Sequence, residues 1–113
     1  MIKSITATEL RQRLDGAHPP LLLEALPERY WRERHLPGAR LFPHDQATLL
    51  APTMVPTRDT AIVLYCASAT CQNSHIAAQL LERAGYTDLT VFGGGKEAWA
   101  AAGFPFETEA ATA

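Results

Sequence analysis

Apolar residues follow two rhythms along this chain. Short unbroken runs, Leu21-Leu22-Leu23-Glu24-Ala25, Ala61-Ile62-Val63-Leu64-Tyr65-Cys66 and Leu89-Thr90-Val91-Phe92, have the length of strands buried on both faces. Between them, apolar positions recur at helical spacing. Ala7, Leu10 and Leu14 form one such face, opened by the capping-box spacing Thr6-Ala7-Thr8-Glu9 and closed near Asp15-Gly16. Residues 75–84 read as an amphipathic helix stopped by Gly85, and residues 96–102 as a last helix ended by Gly103. Residues 2–5 and 40–42 read as further short strands, 28–34 as a short helix opened by Pro27, and 45–50 as a helical segment. Pro19-Pro20, the turn Leu36-Pro37-Gly38-Ala39 and a loop holding Pro52, Pro56 and Arg58-Asp59 punctuate the first half, and Gly93-Gly94-Gly95 the second. Phe104-Pro105-Phe106 is expected to pack back on the core, with residues 107–113 fraying. Strands and helices alternate throughout, so the expected fold is α/β, a mostly parallel central sheet with helices on both faces.

Composition narrows the function more than the fold. The 113 residues suit one domain, here expected to have its core over about 5–107, with no internal repeat or linker. With 47% hydrophobic and 19% charged residues, wholesale disorder is excluded. A net charge of −2 offers no basic footprint for nucleic acid and no polybasic membrane patch. No apolar run approaches the ~20 residues of a membrane helix, and the first residues lack the apolar stretch of a secretory signal. Two cysteines in that setting predict a reducing, cytoplasmic location, where cysteine means chemistry, metal or plain core rather than a staple.

The chemistry concentrates where the second apolar run ends. Cys66 closes it, the small polar segment Ala67-Ser68-Ala69-Thr70-Cys71-Gln72-Asn73-Ser74 follows, and a helix begins. Unpaired N–H groups at a helix start stabilise an anion, and so favour thiolate over thiol. Cys66 is therefore the candidate nucleophile. Cys71 is a second thiol on the same loop, able to act as a resolving or relay thiol or as a passive helix-entry residue. Cys66, Cys71 and His75 lack the further ligand pair that a zinc site needs, so no metal is expected. Arg34 and Lys96 are the basic residues placed to steer a substrate, against the alternative of a solvated surface role. The three glycines lack the Gly-Lys-Ser/Thr ending of a phosphate loop and are expected to permit a turn and close helix packing. Trp31 and Trp99 are expected as core anchors, and His35 as a packing residue.

Four segments in order, over about residues 5–107, resemble the rhodanese-like sulfurtransferase domain. Arg34-His35-Leu36-Pro37-Gly38-Ala39 resembles the family's Gly-His-Ile-Pro-Gly-Ala, and Ile62-Val63-Leu64-Tyr65-Cys66 its strand into the catalytic cysteine. Ser74 through Ala84-Gly85-Tyr86 resembles the helix that follows. Gly94-Gly95-Lys96-Glu97-Ala98-Trp99, with Ala102-Gly103-Phe104-Pro105, resembles the closing Gly-Gly-x-x-x-Trp and Ala-Gly-x-Pro. The resemblance implies a three-layer sandwich in which Cys66 takes sulfane sulfur from thiosulfate or a persulfide and passes it to a thiophilic acceptor. It implies no cofactor. The partners it implies are a small sulfur donor or a protein persulfide, and a thiol acceptor, for a monomer or homodimer.

Three departures stand out. The family's Asp-Val-Arg is here Glu24-Ala25-Leu26; the loop is longer than Cys-x-x-Gly-x-Arg-Ser and contains no cation; and it holds Cys71. The paired thiols resemble a variant form of the family, and the missing cation weakens the case for thiosulfate, whose sulfonate calls for a charge-assisted donor. Two rival classes remain open at this stage, a thiol–disulfide protein cycling Cys66 and Cys71 and a catalytically silent interaction module. The related cell-cycle phosphatases and arsenate reductases need Cys-x5-Arg, and Gln72 stands at that arginine's position.

Overall fold

The computed structural model describes residues 2–109. Five strands, β1 (Ile2–Ser4), β2 (Leu21–Glu24), β3 (Arg40–Leu41), β4 (Ile62–Tyr65) and β5 (Leu89–Phe92), form one sheet in the order β1-β5-β4-β2-β3, parallel at every pairing. The five helices are α1 (Ala7–Leu14), α2 (Glu28–Glu33), α3 (Ala47–Met54), α4 (Asn73–Arg83) and α5 (Gly95–Ala101). The apolar runs are explained by two-sided burial. Leu23, Ile62, Leu64, Leu89 and Val91 pack under α3 and α4, while Leu22, Val63, Tyr65 and Phe92 pack under α1 and α5 around Trp99. No helix among the described residues is long and apolar enough to cross a membrane.

Thr6 caps α1 as its sequence signature requires, its hydroxyl accepting from the Glu9 N–H while Glu9 accepts from the Thr6 N–H. Elsewhere the structure departs from expectation. The third helix runs on through Pro52 to Met54 rather than ending at residue 50. Packing of Ala47, Ala51 and Val55 holds it, and the buried Tyr86 hydroxyl donates to the carbonyls of Ala51 and Val55 at its end. The fourth helix starts at Asn73, ahead of the expected residue 75, so Asn73 and Ser74 belong to its first turn rather than to the loop.

Trp31 is only half-buried. It stacks on His35 with centroids 4.4 Å apart and donates to the Ala39 carbonyl, outside the core that Trp99 anchors. His35 is buried against it, as a packing residue should be. The segment expected to fray is tied down as far as it is described. Glu107 pairs antiparallel with His35, and the Arg32 carbonyl accepts from the Thr108 hydroxyl and the Glu109 N–H. Residues 110–113 of that expected tail lie outside the described residues.

Candidate active site

Every strand points the same way, so β4 delivers Cys66 to the edge of the sheet where strand C-termini and helix N-termini meet, the usual place for a ligand in such folds. The fifth helix closes over it. Lys96 N–H donates to the Cys66 carbonyl and Glu97 N–H to the Ala67 carbonyl, each at 3.0 Å. This approach depends on Gly95, whose φ is +60° and where a Cβ would stand 2.3 Å from the Cys66 oxygen. The expected turn falls on Gly95, and the close packing on Gly95 and Gly94 together, since a Cβ on Gly94 would stand 2.4 Å from that of Ala98. On the other side, a turn closed by Cys71 N–H to the Ser68 carbonyl at 3.1 Å brings the chain round to α4.

The loop holds two sulfurs in unlike surroundings. Cys66 is 1% exposed. Its sulfur lies 3.4 Å from the Cys71 carbonyl oxygen and 3.4 Å from the hydroxyl of the fully buried Ser74. Burial pushes the Cys66 thiol up, and donating to Cys71 adds to this, while the Ser74 hydroxyl and N–H oppose it. Cys71 is half-buried. Burial also works against its thiolate, but the Cys66 thiol and the N–H groups of Ala67 and Asn73 face its sulfur and hold it below the usual thiol value. The converging donors expected around Cys66 are thus divided between two sulfurs, and the larger share goes to Cys71. Ala67, Ala69, Thr70 and Gln72 are exposed, and Ser68, half-buried, lies 3.1 Å from the Thr70 hydroxyl.

Lys96 does not serve as a free cation. It is 6% exposed, its ammonium is 3.1 Å from Glu24 Oε1, and it donates to the carbonyls of Tyr30 and Arg34. Burial holds its basicity down against the Glu24 charge. Its anchor, Glu24, is fully buried at the end of β2 and accepts from the Tyr65 hydroxyl at 2.7 Å. Tyr65 in turn accepts from the Leu36 N–H at 3.1 Å. The Glu24–Tyr65–Lys96 cluster went unrecognised in the sequence, although one acid inside an apolar run and one lysine directly after the glycines were its signal. Arg34 remains exposed, its guanidinium 4.4 Å from the centre of the Phe106 ring. Arg34, Lys96, Ala67 and Ser68 line one shallow depression beside the loop, with Glu33 and Glu97. The two steering candidates are therefore brought to the site, but only Arg34 presents a charge to solvent. Among the described residues, no three His, Cys, Asp or Glu side chains gather as metal ligands.

The family model of the rhodanese-like domain matches residues 6–102. The chain belongs to that family. Among solved structures, a thiosulfate sulfurtransferase from Pseudomonas aeruginosa is 27% identical over 95% of this chain with a TM-score of 0.84, yet this chain spans only 20% of that protein's length. A rhodanese-like domain from Anabaena is 25% identical, covering 99% of this chain and 83% of its own, with a TM-score of 0.85. A rhodanese with anions from E. coli is 21% identical over 79% of this chain and 98% of its own, with a TM-score of 0.66, a likeness of fold alone. Among curated proteins none matches this chain. The five-stranded parallel sheet with its helices is the rhodanese fold.

Proposed function

We propose that this rhodanese-like domain is a sulfurtransferase that moves sulfane sulfur from a low-molecular-weight or protein persulfide to a thiol acceptor, through a persulfide on Cys66. The supporting observation is the placement of Cys66 at the end of β4, with the Ser74 hydroxyl and N–H facing its sulfur. A thiol attacks sulfane sulfur as thiolate and its persulfide is again anionic, so fixed donors serve both states. Cys66→Ser, nearly isosteric, is expected to abolish catalytic transfer while the unfolding midpoint stays close to that of the wild type. Full transfer activity in that variant would remove Cys66 from the mechanism.

Thiosulfate is expected to be the poorer donor, although the Pseudomonas relative bears its name. The loop residues 67–73 carry no cation, and Lys96 is engaged by Glu24 and two carbonyls. Asn73→Arg, at the first residue of α4, should lower the thiosulfate KM and leave persulfide kinetics little changed. A wild-type kcat/KM higher for thiosulfate than for glutathione persulfide would shift the missing charge to Arg34, the exposed cation beside the loop.

A thiol–disulfide reading is favoured by one observation, the contact between the Cys66 thiol and Cys71. Intact mass separates the two readings, since a persulfide adds one sulfur atom and a disulfide removes two hydrogens.

A further inference from the structure

Cys66 as a whole is 1% exposed, so a donor must displace its neighbours to reach its sulfur. The half-buried Cys71 sulfur, by contrast, faces the N–H groups of Ala67 and Asn73. We propose that sulfur enters this domain at Cys71 and is handed inward to Cys66. The proposal rests on the sulfur-transfer reading above and assigns the order in which the two thiols act.

The chemistry balances without an outside oxidant. The Cys71 thiolate attacks the terminal sulfur of a donor R–S–SH; the sulfur–sulfur bond to Cys71 forms as the donor's breaks, and R–S⁻ leaves to take a proton from water. Cys66 then attacks the same terminal sulfur. That bond passes from Cys71 to Cys66, and the proton of the Cys66 thiol ends on the departing Cys71 sulfur. Each step exchanges one sulfur–sulfur bond for another, so no electrons are gained or lost.

Local surroundings give the relay its direction. A sulfur leaves faster when it is the better stabilised anion, and a more basic sulfur, once ionised, is the stronger nucleophile and holds the transferred atom more firmly. Here the donors facing Cys71 stabilise it as a leaving group, while burial keeps Cys66 basic. The product is also housed. A persulfide on Cys66 has the Ser74 hydroxyl and N–H beside it, and the covered position shields it from water and oxidants. The two residues are already neighbours, the Cys66 sulfur lying 3.4 Å from the Cys71 carbonyl oxygen, so the second step needs only a local movement of the loop.

Rapid-quench loading with glutathione persulfide tests the order, with alkylation to trap persulfides and fragment-ion sequencing to locate them. In the wild type the added sulfur should appear first on Cys71 and then on Cys66. In Cys66→Ser it should load and remain on Cys71. In Cys71→Ser the loading of Cys66 should slow at least tenfold, and its pH profile should move upward to that of the buried thiol, a change that mere loss of loop packing would not produce. Loading of Cys66 in Cys71→Ser at the wild-type rate and pH profile would overturn the relay and leave sulfur transfer standing. A wild-type chain that accepts no sulfur at all would overturn both.

Discussion

Cys71 keeps its sulfur among three donors, whereas Cys66 keeps its own beneath the loop, so a soluble alkylating reagent should tell them apart. Iodoacetamide near neutral pH is expected to modify Cys71 at least tenfold faster than Cys66, because only thiolate reacts and only Cys71 has its thiolate favoured. Peptide mapping after short exposures reads the ratio, and urea-unfolded chain, where the difference should vanish, is the control. Equal rates in the folded chain would contradict the division of donors. Mild peroxide should likewise join the two as a reversible disulfide, visible by non-reducing mapping; Cys66 passing to sulfinic acid as fast as in Cys71→Ala would exclude that protection. At this scale the sequence was only half legible. Strand, thiol and helix start could be read in order, which located Cys66. Which sulfur the amides face depends on how residues 67–72 turn, and small polar residues permit many turns. The Cys71-to-Ser68 hydrogen bond that selects this one has no sequence signature.

The elements around the site were the most legible part, because their signals are local. The capping box of α1, the apolar runs of β2, β4 and β5, and the glycine after α4 each act within a few residues. Pro52 shows the limit. A local rule ends the helix there, whereas burial of Ala51 and Val55 and the distant Tyr86 hydroxyl carry α3 past it. The junction of β4 and α5 is equally non-local, and it makes a sharp prediction at Gly95. An alanine there would adopt a left-handed backbone and drive its methyl into the Cys66 carbonyl. Gly95→Ala should cost roughly 2–4 kcal/mol in urea unfolding, from backbone strain and overpacking together. It should also impair sulfur transfer through the displaced loop. A stable, fully active Gly95→Ala chain would show that the close approach is dispensable.

Across the whole molecule, the Glu24–Tyr65–Lys96 cluster joins β2, β4 and α5 with the turn at Leu36 and the carbonyls of α2. Tyr65→Phe leaves Glu24 and the Leu36 N–H each short of a buried partner and should cost about 1–3 kcal/mol. Burial of Glu24 also gives stability a pH slope. Desolvation raises its carboxyl above the ordinary 4.5, against the pull of Tyr65 and Lys96, so between those two values the folded chain holds a proton the unfolded chain has lost. The Glu24 contribution is therefore full below the ordinary value and declines as pH rises through the raised one. Urea unfolding from about pH 4 to about pH 8 should show this decline in the wild type and a flatter profile in Glu24→Gln. Identical profiles would place the titration elsewhere.

The sheet order also has a consequence for biosynthesis. The first strand made, β1, pairs only with β5, the last, and the amides that cover the Cys66 and Ala67 carbonyls come from Lys96 and Glu97. A chain emerging N-terminus first thus presents both thiols before the parts that position them exist. Until Glu97 has been added, the Cys66 and Ala67 carbonyls lack the amides that fix this end of the loop, although Cys71, Asn73 and Ser74 are already made. A nascent chain arrested after Phe92 should therefore react with iodoacetamide less selectively at the two sulfurs than the finished domain, whose final helix completes the discrimination.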